Sequence, residues 1–240
     1  MQRIGVFVCH CGSNIAATVD VILSRSITGN SIGAKLTIPQ GTLFTDSSGN
    51  SWLSARDVTW YSNVTTCKIP IIQHEKYTAS ALNNMLIPTG DRVIVHLGTL
   101  PNGKYYEQGS MSLQIGGETW VLVDTFAKSK PTDKHFMVSV DEALNPYIMF
   151  GDGTFGKKPA AGAKITNVVF YLTNGTQGNV KSNTITSVPS IISSSITDAT
   201  VSNAYDAGGG SNYENFTMLK EHIPLSVKTL GVAITKEDFE

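Results

Sequence analysis

Turn-forming residues recur about every 8 to 12 residues along most of this chain, without helical patterns between them. Gly116-Gly117 and Asn145-Pro146 each divide an apolar stretch into two predicted strands. Residues 17–23, 91–100 and 164–173 also have the apolar character of strands. This spacing predicts a mainly β protein.

A helix is predicted only after the glycine run 208–210. Ser211 and Glu214 have the spacing of a capping box, in which the hydroxyl and the carboxylate satisfy free amides at a helix start. Apolar residues follow at helical spacing until Pro224. Thr235 and Asp238 begin a second capped helix, so the protein is expected to continue beyond the last residue given.

The predicted fold class is therefore mainly β with a C-terminal helical segment, an α+β arrangement. Four segments are expected. Residues 1–20 form an N-terminal strand segment of unassigned origin, residues 21–145 a β-rich domain, residues 146–202 a second β-rich core, and residues 203–240 the start of a further, helical domain. The Ser-rich stretch 187–195 is expected to be an exposed connector.

Composition argues against several functions. The 240 residues have a formal net charge of -1, so no basic field favours nucleic acid or anionic lipid. No apolar run approaches the roughly 18 residues of a membrane span. Three cysteines, an odd number, do not make a disulfide framework, which favours a reducing compartment. No nucleic acid, membrane span or small-molecule substrate is expected.

Residues 151–156, GDGTFG, match the glycine pattern of a dinucleotide-binding loop. Such a loop opens a helix, whose free amides hold the pyrophosphate. Here Lys157, Lys158 and Pro159 follow, and the next apolar run resembles a strand. The glycines are therefore predicted to form a turn between strands.

Cys9, His10 and Cys11 raise the question of a metal or redox site. Structural zinc and iron–sulfur sites need four ligands, and the third cysteine, Cys67, stands alone. The alternative is that Cys9 and Cys11 are small apolar residues near a strand end. His96 is expected to be an ordinary strand residue. No cofactor, metal site or enzymatic activity is predicted.

Residues 4–21, IGVFVCHCGSNIAATVDV, resemble the start of the A subunit of heterodisulfide reductase, a flavin and iron–sulfur protein. The flavin fingerprint and cysteine clusters of that family do not follow in this chain. A fragment of such a redox protein is one alternative function.

A longer resemblance runs through most of residues 25–240. Residues 150–165 have the form F-G-D-G-x-x-G-x-x-P-x-x-G-x-x-I, and residues 175–179 read G-T-Q-G-N. Residues 38–54 and 231–239 match two further phrases, although an arginine usual in the last is absent. In this order the phrases resemble the baseplate J-like family of contractile phage tails and related injection machines, and in detail the wedge subunits of T-even-like phages.

This resemblance implies a baseplate wedge protein that joins a ring around the tail hub. Its partners would be copies of itself and other tail proteins, and its location the virion tail baseplate after assembly in the host cytoplasm. Residues 146–202 would be the J-like core. The resemblance implies structural turn roles for Gly151, Gly153, Gly156, Pro159, Gly162, Gly178 and Asn179. Assembly contacts are expected at Tyr213, Phe216, Leu219, Thr235, Asp238 and Phe239.

A tail module that binds receptors or carbohydrates is the other alternative. The β-rich composition suits such a module, which would expose an aromatic cluster formed by Trp52, Trp60 and Tyr61. If these aromatic side chains instead pack in a β core, the alternative loses its site.

Overall fold

A computed structural model describes residues 14–26, 35–79, 85–90 and 93–212 of the chain. In chain order, the strands are β1 (Thr18–Ser24), β2 (Lys35–Ile38), β3 (Leu43–Asp46), β4 (Ser51–Ser54), β5 (Val58–Tyr61), β6 (Thr66–Ile72), β7 (Glu75–Thr78), β8 (Ile94–His96), β9 (Tyr105–Tyr106), β10 (Ser112–Ile115), β11 (Glu118–Leu122), β12 (His135–Val140), β13 (Pro146–Phe150), β14 (Ile165–Thr173), β15 (Ile185–Ser187) and β16 (Thr200–Asn203). A 3-10 turn at Gly175–Gly178 and helix α1 at Ser190–Ser193 are the helical elements of the described residues.

Six strands form the first barrel, in the order β15-β3-β4-β6-β1-β16. Alternate residues of β1 and β6 point inward, among them Val21, Leu23, Ile69 and Ile71, which are fully or almost fully buried. The β2–β5 pair is a separate two-stranded sheet, and its Trp60 joins the same core. This core therefore gathers residues from both ends of the described chain.

The first barrel is closed by Asn203, whose side chain is fully buried between β15 and β16. Its Oδ1 accepts hydrogen bonds from the amides of Thr184 and Ile185, each at 3.0 Å. Its Nδ2 donates to the carbonyls of Lys181 and Tyr205, each at 2.9 Å. The strands β15 and β16 lie at the two ends of the sheet, and the Asn203 side chain supplies hydrogen bonds between them in place of a backbone ladder.

Replacing Asn203 by Ala is expected to lower the free energy of unfolding by about 3 kcal/mol or more, because buried amides and carbonyls lose their partners. Urea denaturation measures the change. The neighbouring substitution Ser202→Ala is the control, expected to stay within about 0.5 kcal/mol of the wild type. A loss below about 1 kcal/mol for Asn203→Ala would show that water or the backbone takes over these hydrogen bonds.

The second sheet has the order β7-β14-β10-β11-β12-β13-β8, with β9 also paired to β14. The chain from β7 to β8 lies beside β14 at its start and beside β13 at its end. Its described residues also pair midway, at Leu86 with Lys164. The same stretch of chain therefore closes this sheet into a second barrel, around a core that includes Leu113, Phe136, Ile148 and Phe170.

The second barrel is inserted into the first. The chain leaves the first barrel after β6 and returns to it after β14, so residues 75–173 lie between two parts of one β unit. The boundary expected between residues 145 and 146 falls in the turn between β12 and β13, which pair along their length. Sequential strands pair here as a hairpin, as is usual for short connections.

Most strands predicted from turn spacing are confirmed. The Gly116-Gly117 turn joins β10 to β11, and residues 164–173 form β14 almost entirely. Residues 187–195 connect β15 to β16 and are mostly exposed, as expected, but they also form helix α1, which buries Ile192. Of the predicted C-terminal helical segment, residues 203–240, the described part, 203–212, contains no helix, and residues from 213 onward lie outside the described residues. Among the described residues, no helix has the length and apolar character needed to cross a membrane.

The β3–β4 turn depends on the buried carboxylate of Asp46. Its Oδ1 accepts hydrogen bonds from the amides of Ser48 and Asn50, each at 2.9 Å. Its Oδ2 accepts from Asn50 Nδ2 at 3.0 Å and from the indole of Trp52 at 3.2 Å. Burial alone would raise the pKa of Asp46, but these donors outweigh it and lower the pKa below its ordinary value.

The pKa of Asp46 is lower in the folded state than in the unfolded state, where it is about 3.9. The ionised carboxylate therefore stabilises the fold at pH values above the unfolded-state pKa, and this stabilisation is lost as the pH falls through the folded-state pKa. Asp46→Asn is expected to cost roughly 1–3 kcal/mol at pH 7, since an amide cannot accept all four hydrogen bonds. The difference from the wild type should shrink as the pH drops from about 5 toward 2. Urea denaturation across this range measures it, and a difference independent of pH would contradict the assignment.

Candidate functional site

The glycine loop, residues 150–162, connects the end of β13 to the approach to β14. Asp152 Oδ1 accepts hydrogen bonds from the amides of Thr154 at 2.7 Å and Phe155 at 2.8 Å. The Gly153 amide donates to the Gly156 carbonyl at 3.0 Å. These bonds make a compact turn, and no helix follows it among residues 157–164. The geometry lacks the helix start on which a dinucleotide site depends.

Glycine is required at several positions of this loop. Gly153 and Gly156 have φ angles of 95° and 82°, and Gly162 has 76°. These angles lie in the left-handed region that L side chains rarely adopt. Gly151 has a different requirement, because a Cβ there would overlap the carbonyl group of Gly156. The turn can close only if residue 151 has no side chain.

Pro159 is buried within the same loop. The loop then turns at Gly162, whose amide donates to the Ile87 carbonyl at 3.0 Å. Lys157 donates its amide to the Asp133 carbonyl at 2.7 Å. The loop is therefore tied to two other parts of the second barrel before β14 begins.

An apolar groove lies beside this loop, with a cavity volume of about 340 Å³. It is lined by the apolar side chains of Val93, Ile94, Phe126, Met137, Met149, Phe150 and Phe155 and by Gly151 and Asp152. Phe155 is 53% exposed and Ile94 is 39% exposed. We call this feature the Met–Phe groove.

Strand register explains how the groove forms on the outside of the barrel. Phe136 and Phe150 pair across β12 and β13 and face the core. Met137 and Met149, their neighbours in sequence, pair on the opposite face. Ile94 extends this outward row onto β8, where it pairs with Met149. This outward row was not among the sites predicted from sequence, although residues that alternate along β12 and β13 indicate it.

The substitution Gly151→Ala is expected to cost more than about 2 kcal/mol, because the backbone of the turn must move to admit a Cβ. Gly162→Ala is the matched control: no atom lies within 4 Å of its Cβ, so only the positive φ opposes it, at about 1–2 kcal/mol. Thermal or urea unfolding measures both variants. Equal losses would show that steric closure at Gly151 is not a distinct requirement.

Gly178 and Asn179 lie in the junction between the barrels, away from the glycine loop. A Cβ on Gly178 would lie 3.1 Å from Gln73 Oε1 and 3.3 Å from the Ala17 side chain. Asn179 pairs with Gly210, donating to its carbonyl and accepting from its amide, each at 2.9 Å. The glycine loop and Gly178-Asn179 therefore occupy separate places, before and after β14.

The junction also contains an ionisable cluster that the sequence analysis missed. His74 Nε2 contacts Glu107 Oε2, and the His74 ring stacks on Tyr171 with centroids 4.7 Å apart. Lys104 Nζ lies 3.0 Å from Glu75 Oε2. These pairs join β7 to the loops beside β9, so they stabilise the chain where it enters the second barrel.

The exposed aromatic cluster that the carbohydrate-binding alternative requires does not form. Trp52 is 0% exposed and Trp60 is 1% exposed, so both pack in the first core, while Tyr61 is exposed. The Trp60 indole donates to the Val64 carbonyl at 3.0 Å, and the Arg25 guanidinium lies over the Trp60 ring at 5.2 Å. The tryptophans are therefore structural, and the carbohydrate-binding alternative loses the site on which it rested.

Cys9 and Cys11 lie outside the described residues, as do the expected assembly contacts Tyr213, Phe216, Leu219, Thr235, Asp238 and Phe239. Cys67 is buried in the first core, and this burial raises the pKa of its thiol. Within the described ranges, no three His, Cys, Asp or Glu side chains converge as a metal site would require. His96 lies on β8 with its ring 5.5 Å from that of Tyr147.

No family model and no curated protein matches this chain. Among solved structures, it is similar to a chain in the cryo-EM structure of the anti-feeding prophage (AFP) baseplate, six-fold symmetrised. The identity is 12%, the TM-score is 0.31, and the match covers 94% of this chain and 41% of that one. This chain thus spans less than half the length of that protein. At this TM-score the likeness bears on neither the fold nor the function of this chain.

Proposed function

We propose that this chain is a structural subunit of the baseplate wedge of a contractile phage tail or related injection machine. In this role it binds copies of itself and other tail proteins, and it catalyses no reaction. Its place is the tail baseplate of the virion, after assembly in the host cytoplasm. It requires no cofactor, nucleic acid or small-molecule substrate for this work.

The observation that carries the proposal is the ordered set of sequence phrases, of which the glycine loop is the most specific. Gly151, Gly153, Gly156 and Gly162 are residues of that phrase, and each occupies a backbone position where a side chain clashes or is strained. The resemblance therefore rests on residues with a defined structural task.

The connection between the barrels is consistent with a mechanical role. Two crossings join them, one after β6 and one after β14, and the crossings are tied to each other by buried hydrogen bonds. Two domains joined by a single flexible linker move independently by default. A double connection resists rotation of one barrel against the other, which suits a subunit that transmits force within an assembly.

Tail particles from the source of this sequence are expected to contain the chain at a fixed ratio to the sheath protein, by quantitative mass spectrometry. Deleting its gene should leave particles without complete baseplates in electron micrographs, because a ring cannot close without one of its subunits. The wild-type gene supplied in trans is the control and should restore them. Normal tails in the deletion strain, or tails that lack the chain in the wild type, would refute the proposal.

A further inference from the structure

We propose that the Met–Phe groove is the docking site for residues 213–223 of a second copy of this chain. This inference deepens the proposed function, on which it rests, by naming one self-contact of the subunit and its two surfaces. The contact is heterologous: the groove of one copy receives the segment of the next.

The groove has the character of an interface rather than of a core. Met137, Met149 and Ile94 form an apolar row on the outward face of three paired strands. Methionine is frequent at surfaces that bind apolar side chains, because its thioether chain adapts to their shape. A contiguous outward apolar row beside exposed aromatic residues marks an interaction surface more often than scattered apolar residues do.

The backbone at Phe155 is fixed before any partner arrives. Its amide donates to Asp152 Oδ1 at 2.8 Å, and the closed turn fixes its backbone. Phe126 packs against the same turn, with its Cδ1 3.2 Å from the position of a Cβ on Gly156. Side chains on a preformed turn lose little conformational freedom on binding, which favours association.

The proposed occupant has matching chemistry. Residues 213–223 read YENFTMLKEHI, and a helix in this stretch is predicted to place Tyr213, Phe216 and Leu219 on one face. Such an apolar stripe needs an apolar surface to cover it. A helix laid in a groove with its anchors at these spacings is a common mode of recognition.

The positions of groove and segment point to two different copies. The glycine loop lies before β14, and the segment begins after Asn212, whose Oδ1 accepts a hydrogen bond from the Thr176 amide beyond the end of β14. Strand β14 runs between these two places, and its nine residues are about 30 Å long. If residues 213–223 are helical, as their sequence predicts, they span about 17 Å, which is less than the length of β14, so the groove they occupy is that of another copy.

A groove at one end and a segment at the other define a head-to-tail contact. Such a contact does not use the same patch twice, so copies add in one direction until the rotation closes a ring. This geometry agrees with a subunit that forms a ring. It also predicts that a copy with a damaged groove still binds a copy with a damaged segment, which a two-fold dimer does not predict.

The test uses the full chain and compares three variants by sedimentation analysis over a range of concentrations. Phe155→Asp changes the groove, Leu219→Asp changes the segment, and Leu43→Asp is the control, since Leu43 is 52% exposed on the first barrel. The wild type and the control should self-associate equally. Each of the other two variants should bind about thirty-fold more weakly or worse, as for loss of an interface anchor. Thermal unfolding should be unchanged for Phe155→Asp.

Mixing the two weakened variants decides the arrangement. Each retains one intact surface, so a mixture should form heterodimers with near wild-type affinity and no larger species. A mixture that remains monomeric overturns the inference, and so does a wild type that is monomeric at every concentration. The inference is also overturned if residues 213–223 bind the groove of their own chain, or if a small apolar molecule is the occupant of the groove. The chain could still be present in baseplates in that case, so the proposed function would stand or fall by its own experiment.

Discussion

The two crossings between the barrels are linked by the buried side-chain oxygen of Gln73. Its Oε1 accepts hydrogen bonds from the Asn174 amide at 2.6 Å and from Thr173 Oγ1 at 3.1 Å, and its own backbone amide donates to the Ala17 carbonyl at 2.9 Å. One residue therefore connects the outgoing chain, the returning chain and the approach to β1. An inserted domain needs its entry and exit side by side, and these bonds satisfy the backbone groups that this proximity buries. The close approach also explains why residue 178 beside Gln73 is glycine.

Barrel closure determines which parts of the surface remain for partners. Edge strands expose unpaired amides and carbonyls and invite pairing with other chains. In the described part of the chain, Asn203 joins the two edges of the first sheet, and the chain from β7 to β8 joins those of the second. Within the two barrels, side chains and loops are then the main means of specific contact. The Met–Phe groove combines both, because a strand face supplies its floor and the glycine loop supplies its wall.

Local patterns were enough to predict many strands, because alternation and turn residues act over a few neighbours. The β10–β11 hairpin follows from Gly116 and Gly117, which have φ angles of 60° and 80°. The same patterns did not predict which strands pair across long separations, such as β1 with β16. Trp52 and Trp60 show why local sequence could not predict which aromatic residues are exposed. Their sequence context fits both an exposed cluster and a core. Their burial depends on strands distant in sequence, which contribute to the same core.

The sequence by itself determined the β class, most turns and the glycine requirement of the loop, since these follow from steric limits on single residues and short stretches. Tertiary structure alone decided that one barrel is inserted in another, that Met137 and Met149 face outward beside Phe155, and that Gln73 and Asn203 are the buried polar contacts that join strands. The physical reason is that a side chain's burial and hydrogen-bond partners depend on which distant segments close around it. Residues far apart in sequence meet only after the whole chain has paired.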